Sequence, residues 1–359
     1  MKFALSSMLI AVVFVAAARC QEKPPPQVDG KSAAQWVEEL GGAAPDVAIN
    51  ALVRLGPAAA LPELAACVEA RPEAQAFQAA RALRSLEPKD GPERLAFGAA
   101  AKRIGQRLAD PDLKPGSAKC ALLALAALGP NSDAGAENVA EFLKTNKSSQ
   151  GRLAAALALR ETGPKAARAI VKALDEVPVA GAFCVLAGSV GYDKSAAPLA
   201  KPLTNLIAKE ETGRGYLLCR AGRVVLEKIA GTKKADEAFA LRREMRSGAA
   251  LPGSGVNFGV MVPTAKETFR IWLEQEIPAV RSIDFAVIGL APENVERFYG
   301  TYLSLGDLVS HYGVHLVREL PALAERWRRD EFKSLAEWDK AAEPLRQTIE
   351  LLNALTSGG

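Results

Sequence analysis

The residues best placed to do chemistry lie in LGDLVSHYGVHLVRELP, positions 305–321. Asp307, His311, His315 and Glu319 recur every four positions, so a helix would carry them as one stripe. Two imidazoles at i and i+4 can share a divalent metal whose shell a carboxylate completes. Each four-residue step overshoots a full turn by about 40°, so the four groups do not converge on one point. The workable site is His311 and His315 with one carboxylate from elsewhere. The same stripe also reads as a solvated polar face with His–carboxylate contacts, and Gly313 weakens the helix that a metal site would need.

Other clusters carry less chemistry. WLEQE (272–276) and RDE (329–331) bring carboxylates together as an acid–base pair does, but without a pocket or spacing rule they read as solvated helix faces. RWRR (326–329) combines arginine with tryptophan, a pairing enriched at interfaces, and makes Trp327, Arg328 and Arg329 candidate contact residues. The amphipathic end of a helix explains the same residues. The chain has no Walker-type glycine-rich loop, GxSxG elbow or HExxH motif. With only two histidines, a His-based triad would have to draw on the stripe. No cofactor is expected.

The elements that must position these residues are announced by ALVRLGPAAALPELAACV (51–68). Ala48, Leu52 and Leu55 share one helical face, and Leu61, Leu64, Ala65 and Val68 share another. Between them Gly56 suits the left-handed residue that ends a helix, and Pro57 suits the first turn of the next. One such corner cannot bury its outer faces, so copies are needed. They occur at Leu128-Gly129-Pro130 and Thr162-Gly163-Pro164, with Gly191-Tyr192 keeping only the glycine. Weaker copies run through 81–95 and 220–241. Corners near 55, 86, 128, 162, 190 and 230 are 28 to 42 residues apart, too irregular for ankyrin or tetratricopeptide arrays at about 33 and 34 residues.

The A-L-x-x-L-G-P pattern followed by a second apolar helix resembles the HEAT-repeat family of α-solenoids over residues 31–247. GKSAAQWVEEL (30–40) at its head looks like the leading helix of such arrays in bacterial envelope proteins, with Trp36, Val37 and Leu40 facing inward. The resemblance implies an all-α fold, a right-handed α-α superhelix. It also implies a scaffold that binds a partner protein through its repeat surface. The irregular helical bundle is the competing fold.

The ends frame this array. Met1-Lys2, the mostly apolar run Phe3–Ala18 and the small residues Ala16-Ala17-Ala18 describe a secretory signal over residues 1–19. AAARC before the Pro-rich stretch 20–30 resembles the bacterial lipoprotein signal, in which Cys20 would carry lipid and anchor the N-terminus; Arg19 departs from that pattern. No later segment has the roughly 20 apolar residues of a membrane span. Cys67, Cys120, Cys184 and Cys219 lack any CxxC spacing and sit in apolar helical contexts, as buried small hydrophobes or, in an oxidising compartment, as disulfides, with Cys184–Cys219 the pair to test. Lys and Arg number 45 against 41 Asp and Glu, with signs interspersed, so nucleic acid is not the expected partner.

Residues 248–255 (GAALPGSG) read as a linker, and 256–359 as a separate or capping helical region. All five tyrosines and both histidines lie beyond residue 191. VNFGVMV (256–262) and IDFAVIGL (283–290) suit strands or buried helix segments equally, and helices are expected over 265–276, 293–320 and 334–356. Trp338, Ala342, Leu345, Ile349 and Leu352 step 4, 3, 4, 3 along one seam, which fits packing against helix 293–320 or a partner, interrupted or bent at Pro344. Two functions therefore stand: a non-enzymatic exported scaffold, and a metal- or cofactor-dependent enzyme with its site around His311 and His315.

Overall fold

The computed structural model describes residues 25–146, 148–162, 225–237 and 305–357, with short pieces at 166, 169, 199–201 and 203–205. The described residues form helices and no strand beyond an isolated Val28–Lys31 bridge. The chain opens with α1 (Ala33–Glu39), capped by Ser32 in a reciprocal box with Gln35. Trp36, Val37 and Leu40 are buried as expected, and the Trp36 indole donates to the Val28 carbonyl.

The corner at Gly56 joins α2 (Pro45–Leu55) to α3 (Pro57–Ala70). Gly56 has φ +84°, its N–H donates to Leu52 and Val53, and its carbonyl accepts from Ala60. One residue thus ends one helix and starts the next, a conformation that a side chain would strain. Gly231 repeats this arrangement at φ +86°, donating to Glu227 and accepting from Ala235 between helical stretches 225–230 and 232–237. The other described corners are looser. α4 (Glu73–Arg84) leads through a short turn to α5 (Gly91–Arg107), where Asp90 caps the first turn. α6 (Pro115–Leu128) passes at Gly129 into a 3-10 helix (Gly129–Gly135) before α7 (Ala136–Thr145). α8 (Ser149–Thr162) ends where the third Gly-Pro corner begins; Gly163 and Pro164 lie outside the described residues.

These helices form two rows. α1, α3, α5 and α7 lie side by side in one, α2, α4, α6 and α8 in the other, and α1–α2, α2–α3, α3–α4, α5–α6 and α7–α8 pack across the rows. Gly135 permits a close approach of backbones, since a Cβ there would sit 2.8 Å from the Ala101 carbonyl oxygen of α5. The rows differ in how much of each helix is covered. In α7 five of ten residues are buried, four of them (Ala136, Val139, Ala140 and Leu143) on one face, with Phe142 beside it. In α6, ten of 14 residues are buried, and in α8, 11 of 14. A helix buried nearly all round needs neighbours on both sides.

The second cover is the C-terminal hairpin, α9 (Leu305–Arg328) and α10 (Leu335–Ser357). α9 packs on α8, and α10 on α8 and α4, so the even row lies between the odd row and the hairpin. α9 runs unbroken through Gly313 and Pro321, and α10 is not interrupted at Pro344. The seam closes inside the chain: Trp338, Ala342, Leu345 and Ile349 are buried. The Leu352 side chain, the segments 256–262 and 283–290, the helix 265–276 and the linker 248–255 lie outside the described residues.

Candidate functional site

The densest concentration of charge and aromatic surface is the junction between the C-terminal hairpin and the even row. Its centre is Arg81 on α4, 1% exposed in an otherwise Ala-rich face. A guanidinium is stable at such depth only when its donors are matched by anions. Here Nε and Nη2 each donate to Asp330 at 2.8 Å, Nη2 also reaches Asp46 at 2.7 Å, and Nη1 donates to Gln78 at 2.5 Å. Asp330 sits in the α9–α10 turn at φ +58°, a left-handed conformation that Asp tolerates better than most residues. It also pairs with Arg84 at 2.5 Å and Lys333 at 2.7 Å.

Trp327 fills the space beside this cluster. Its ring is buried, 5.7 Å from Phe77 at an interplanar angle of 59°, a tilted aromatic pair. The Arg84 guanidinium lies 5.3 Å from the same ring and donates to the Trp327 carbonyl. Further contacts secure the rest of the hairpin. Arg328 grips Glu161 of α8 with two bonds of 2.6 and 2.8 Å, Lys119 of α6 donates to Asp339 at 2.5 Å, and Ser149 donates to Glu350 at 2.7 Å. Gln78 donates to the Lys333 carbonyl.

Two carboxylates of this junction are shifted in opposite directions by their surroundings. Burial pushes the Asp330 carboxyl up, but hydrogen bonds from Arg81, Lys333 and Arg84 outweigh it and hold the group well below the usual carboxylate range. Its stabilisation is therefore complete above the unfolded value near 3.8 and is lost as pH falls toward the native value. An unfolding midpoint followed from pH 7 to pH 2 will fall in the acid limb, and Asp330→Asn will flatten that limb. For Glu161 burial wins over the Arg328 bonds and leaves the carboxyl raised. The pair is thus held by Arg328 against a desolvation cost, which gives an asymmetric expectation. Arg328→Ala leaves the buried carboxylate with only the Arg160 guanidinium, 3.6 Å away, and costs about 1–3 kcal/mol, most of which Glu161→Gln restores in the double variant. A double-mutant cycle on urea unfolding reads this directly. Asp339 joins α10 to the Lys119 ammonium, which also lies 5.9 Å from the Trp338 ring.

Lys119 also borders a cleft of about 470 Å³ between the α5–α6 and α7–α8 connections. Apolar Leu108, Leu113 and Phe142 line it beside polar Asn138, Glu141 and Asn146. The volume falls in the range of a small-molecule or peptide-end site.

The residues singled out in the sequence are distributed as follows. Trp327 and Arg328 contact α4 and α8 of this chain, through Phe77 and Glu161. Arg329 is exposed and pairs with Glu325 of the same helix. Asp330, read as part of a solvated carboxylate run, is instead the central anion of the junction. Along the histidine stripe, Arg318 places Nη2 3.5 Å from His315 Nδ1 and donates to Glu319, so a guanidinium stands beside both. No group of three His, Cys, Asp or Glu side chains that could hold a metal occurs among the described residues. The side chains of Asp307 and His311, together with Cys20, Cys184 and Cys219, lie outside them. Cys67 and Cys120 are free and buried, and burial pushes both thiols up to about 12. No described helix is long and apolar enough to cross a membrane.

Sequence reasoning missed Arg81, Lys119 and Glu161. The available signal was a charge within an otherwise small and apolar helix: Arg81 in FQAARALR, Lys119 in SAKCALLALAAL. Burial on both sides turns such a charge into a buried ion pair. No family model matches the chain, and no curated protein does so either.

Proposed function

We propose that the chain is a non-enzymatic scaffold of HEAT-like build, a right-handed α-α superhelix, exported to the cell envelope and binding a partner protein through its repeat surface. The observation that carries this reading is the pair of helix rows, α1-α3-α5-α7 beside α2-α4-α6-α8. A stack whose units touch mainly their neighbours presents long continuous surfaces, which suits protein recognition better than enclosed chemistry. The hairpin occupies one side of the stack, so the contact surface of the closed chain is the odd row with the cleft at 108–151. Export rests on the basic start, apolar run and small residues of 1–19, and Cys20 would supply a lipid anchor.

The test is cross-linking capture from the native envelope with the full chain and a variant whose cleft is filled by Glu141→Arg and Thr145→Arg. The reading expects one protein to be cross-linked to the wild type, at cleft residues, and lost from the variant. Capture that is equal for both, or absent for the wild type, contradicts it.

A further inference from the structure

The hairpin–row junction is built differently from the rest of the core. Between α3, α4, α5 and α6 the buried hydrophobic residues are mainly Ala, Leu, Ile and Phe with Cys67 and Cys120, and one charge pair, Arg103–Glu69, joins α5 to α3. Across the junction, charge pairs recur along its length: Arg81 and Arg84 with Asp330, Lys119 with Asp339, and Glu161 with Arg328. The hairpin also buries polar atoms without giving them hydrogen-bond partners, namely Trp327 Nε1, Trp338 Nε1 and Gln347 Oε1. Each would regain water on separation, and so would the charged groups, which lowers the cost of opening this junction relative to an apolar one. Interfaces that open and close have this more polar composition.

The face left behind would be specific. It offers Phe77 for an aromatic ring, Arg81 and Arg84 for a carboxylate, and Glu161 for a guanidinium, all on α4 and α8. We propose that the C-terminal hairpin is a detachable internal ligand. It closes the even row, and when it lifts off as a unit the row takes a helical hairpin of the same chemistry from a partner protein: a Trp-Arg pair at the end of one helix and a carboxylate in the turn. This rests on the partner-binding reading above and adds a second, normally closed surface to it.

Two measurements test it on the full-length chain. The first is hydrogen exchange of the wild type. Amides of 305–357 are expected to exchange as one block at least about tenfold faster than those of α6, and faster again in 1 M salt, which screens the partly exposed pairs. The second uses a labelled synthetic peptide of residues 305–357 as the probe. It should bind a variant with its own hairpin released (Trp327→Ala with Arg328→Glu) roughly 100-fold more tightly than the wild type, whose tethered copy competes. Adding Arg81→Glu to that variant should abolish binding. Equal exchange of 305–357 and α6, or no peptide binding to the released variant, overturns the proposal. Neither measurement involves the envelope partner or the cleft, so their failure is distinct from failure of the capture experiment.

Discussion

Trp327→Ala will lower the stability of the chain by about 3–5 kcal/mol, the range for deleting a large buried aromatic. The loss follows from position. The indole is 1% exposed, packs on Phe77 of α4 and supports the Arg84 guanidinium. Removing it leaves a cavity between two helix layers joined by side chains distant in sequence, where no local backbone contact compensates. Trp327→Phe retains most of the aromatic pair and should cost less than half as much. Urea unfolding followed by the circular dichroism of the helices measures both. Equal stability of Trp327→Ala and wild type would mean that this ring does not lie between the layers.

The second large effect belongs to Arg81. Arg81→Ala opens a void on α4 and leaves Asp330, one third exposed, to Arg84 and Lys333 alone, at a cost of about 2–5 kcal/mol, the range for truncating a large buried side chain. Asp46 is largely exposed, so Asp46→Ala should change stability by well under 1 kcal/mol. The ordering Arg81 ≫ Asp46 distinguishes a buried clasp from a surface ion pair.

What the sequence revealed and what it hid follow from the range of the interactions. The corner at Gly56-Pro57 was legible because both of its causes are local, a positive φ and a proline in the first turn. The seam Trp338, Ala342, Leu345, Ile349 was legible because a helix repeats its inner face at fixed spacing. Pro344 does not interrupt α10; packing on α4 and α8 offsets the local penalty of the proline. The junction itself was hidden, since Arg81 and Asp330 are separated by 249 positions and neither is unusual alone. One clue could have exposed the third layer. CALLALAAL (120–128) in α6 is apolar on every side, whereas a helix in a bare two-row stack would keep one polar face, as α7 does. The Trp-Arg pair at 327–328 reads in sequence as an interface candidate or a helix end; that it meets Phe77 and Glu161 of the same chain depends on residues too distant for sequence alone to pair.

The measurement that addresses the central claim, that the C-terminal hairpin lies across the even row of helices, is zero-length carbodiimide cross-linking of the dilute full-length protein. Lys119 Nζ and Asp339 Oδ1 are 2.5 Å apart across the junction, and Lys333 Nζ and Asp330 Oδ2 are 2.7 Å apart within the hairpin. The account predicts both amide cross-links by peptide mass spectrometry, the Lys119–Asp339 link within single monomers. A Lys333–Asp330 link without any Lys119–Asp339 link would contradict it.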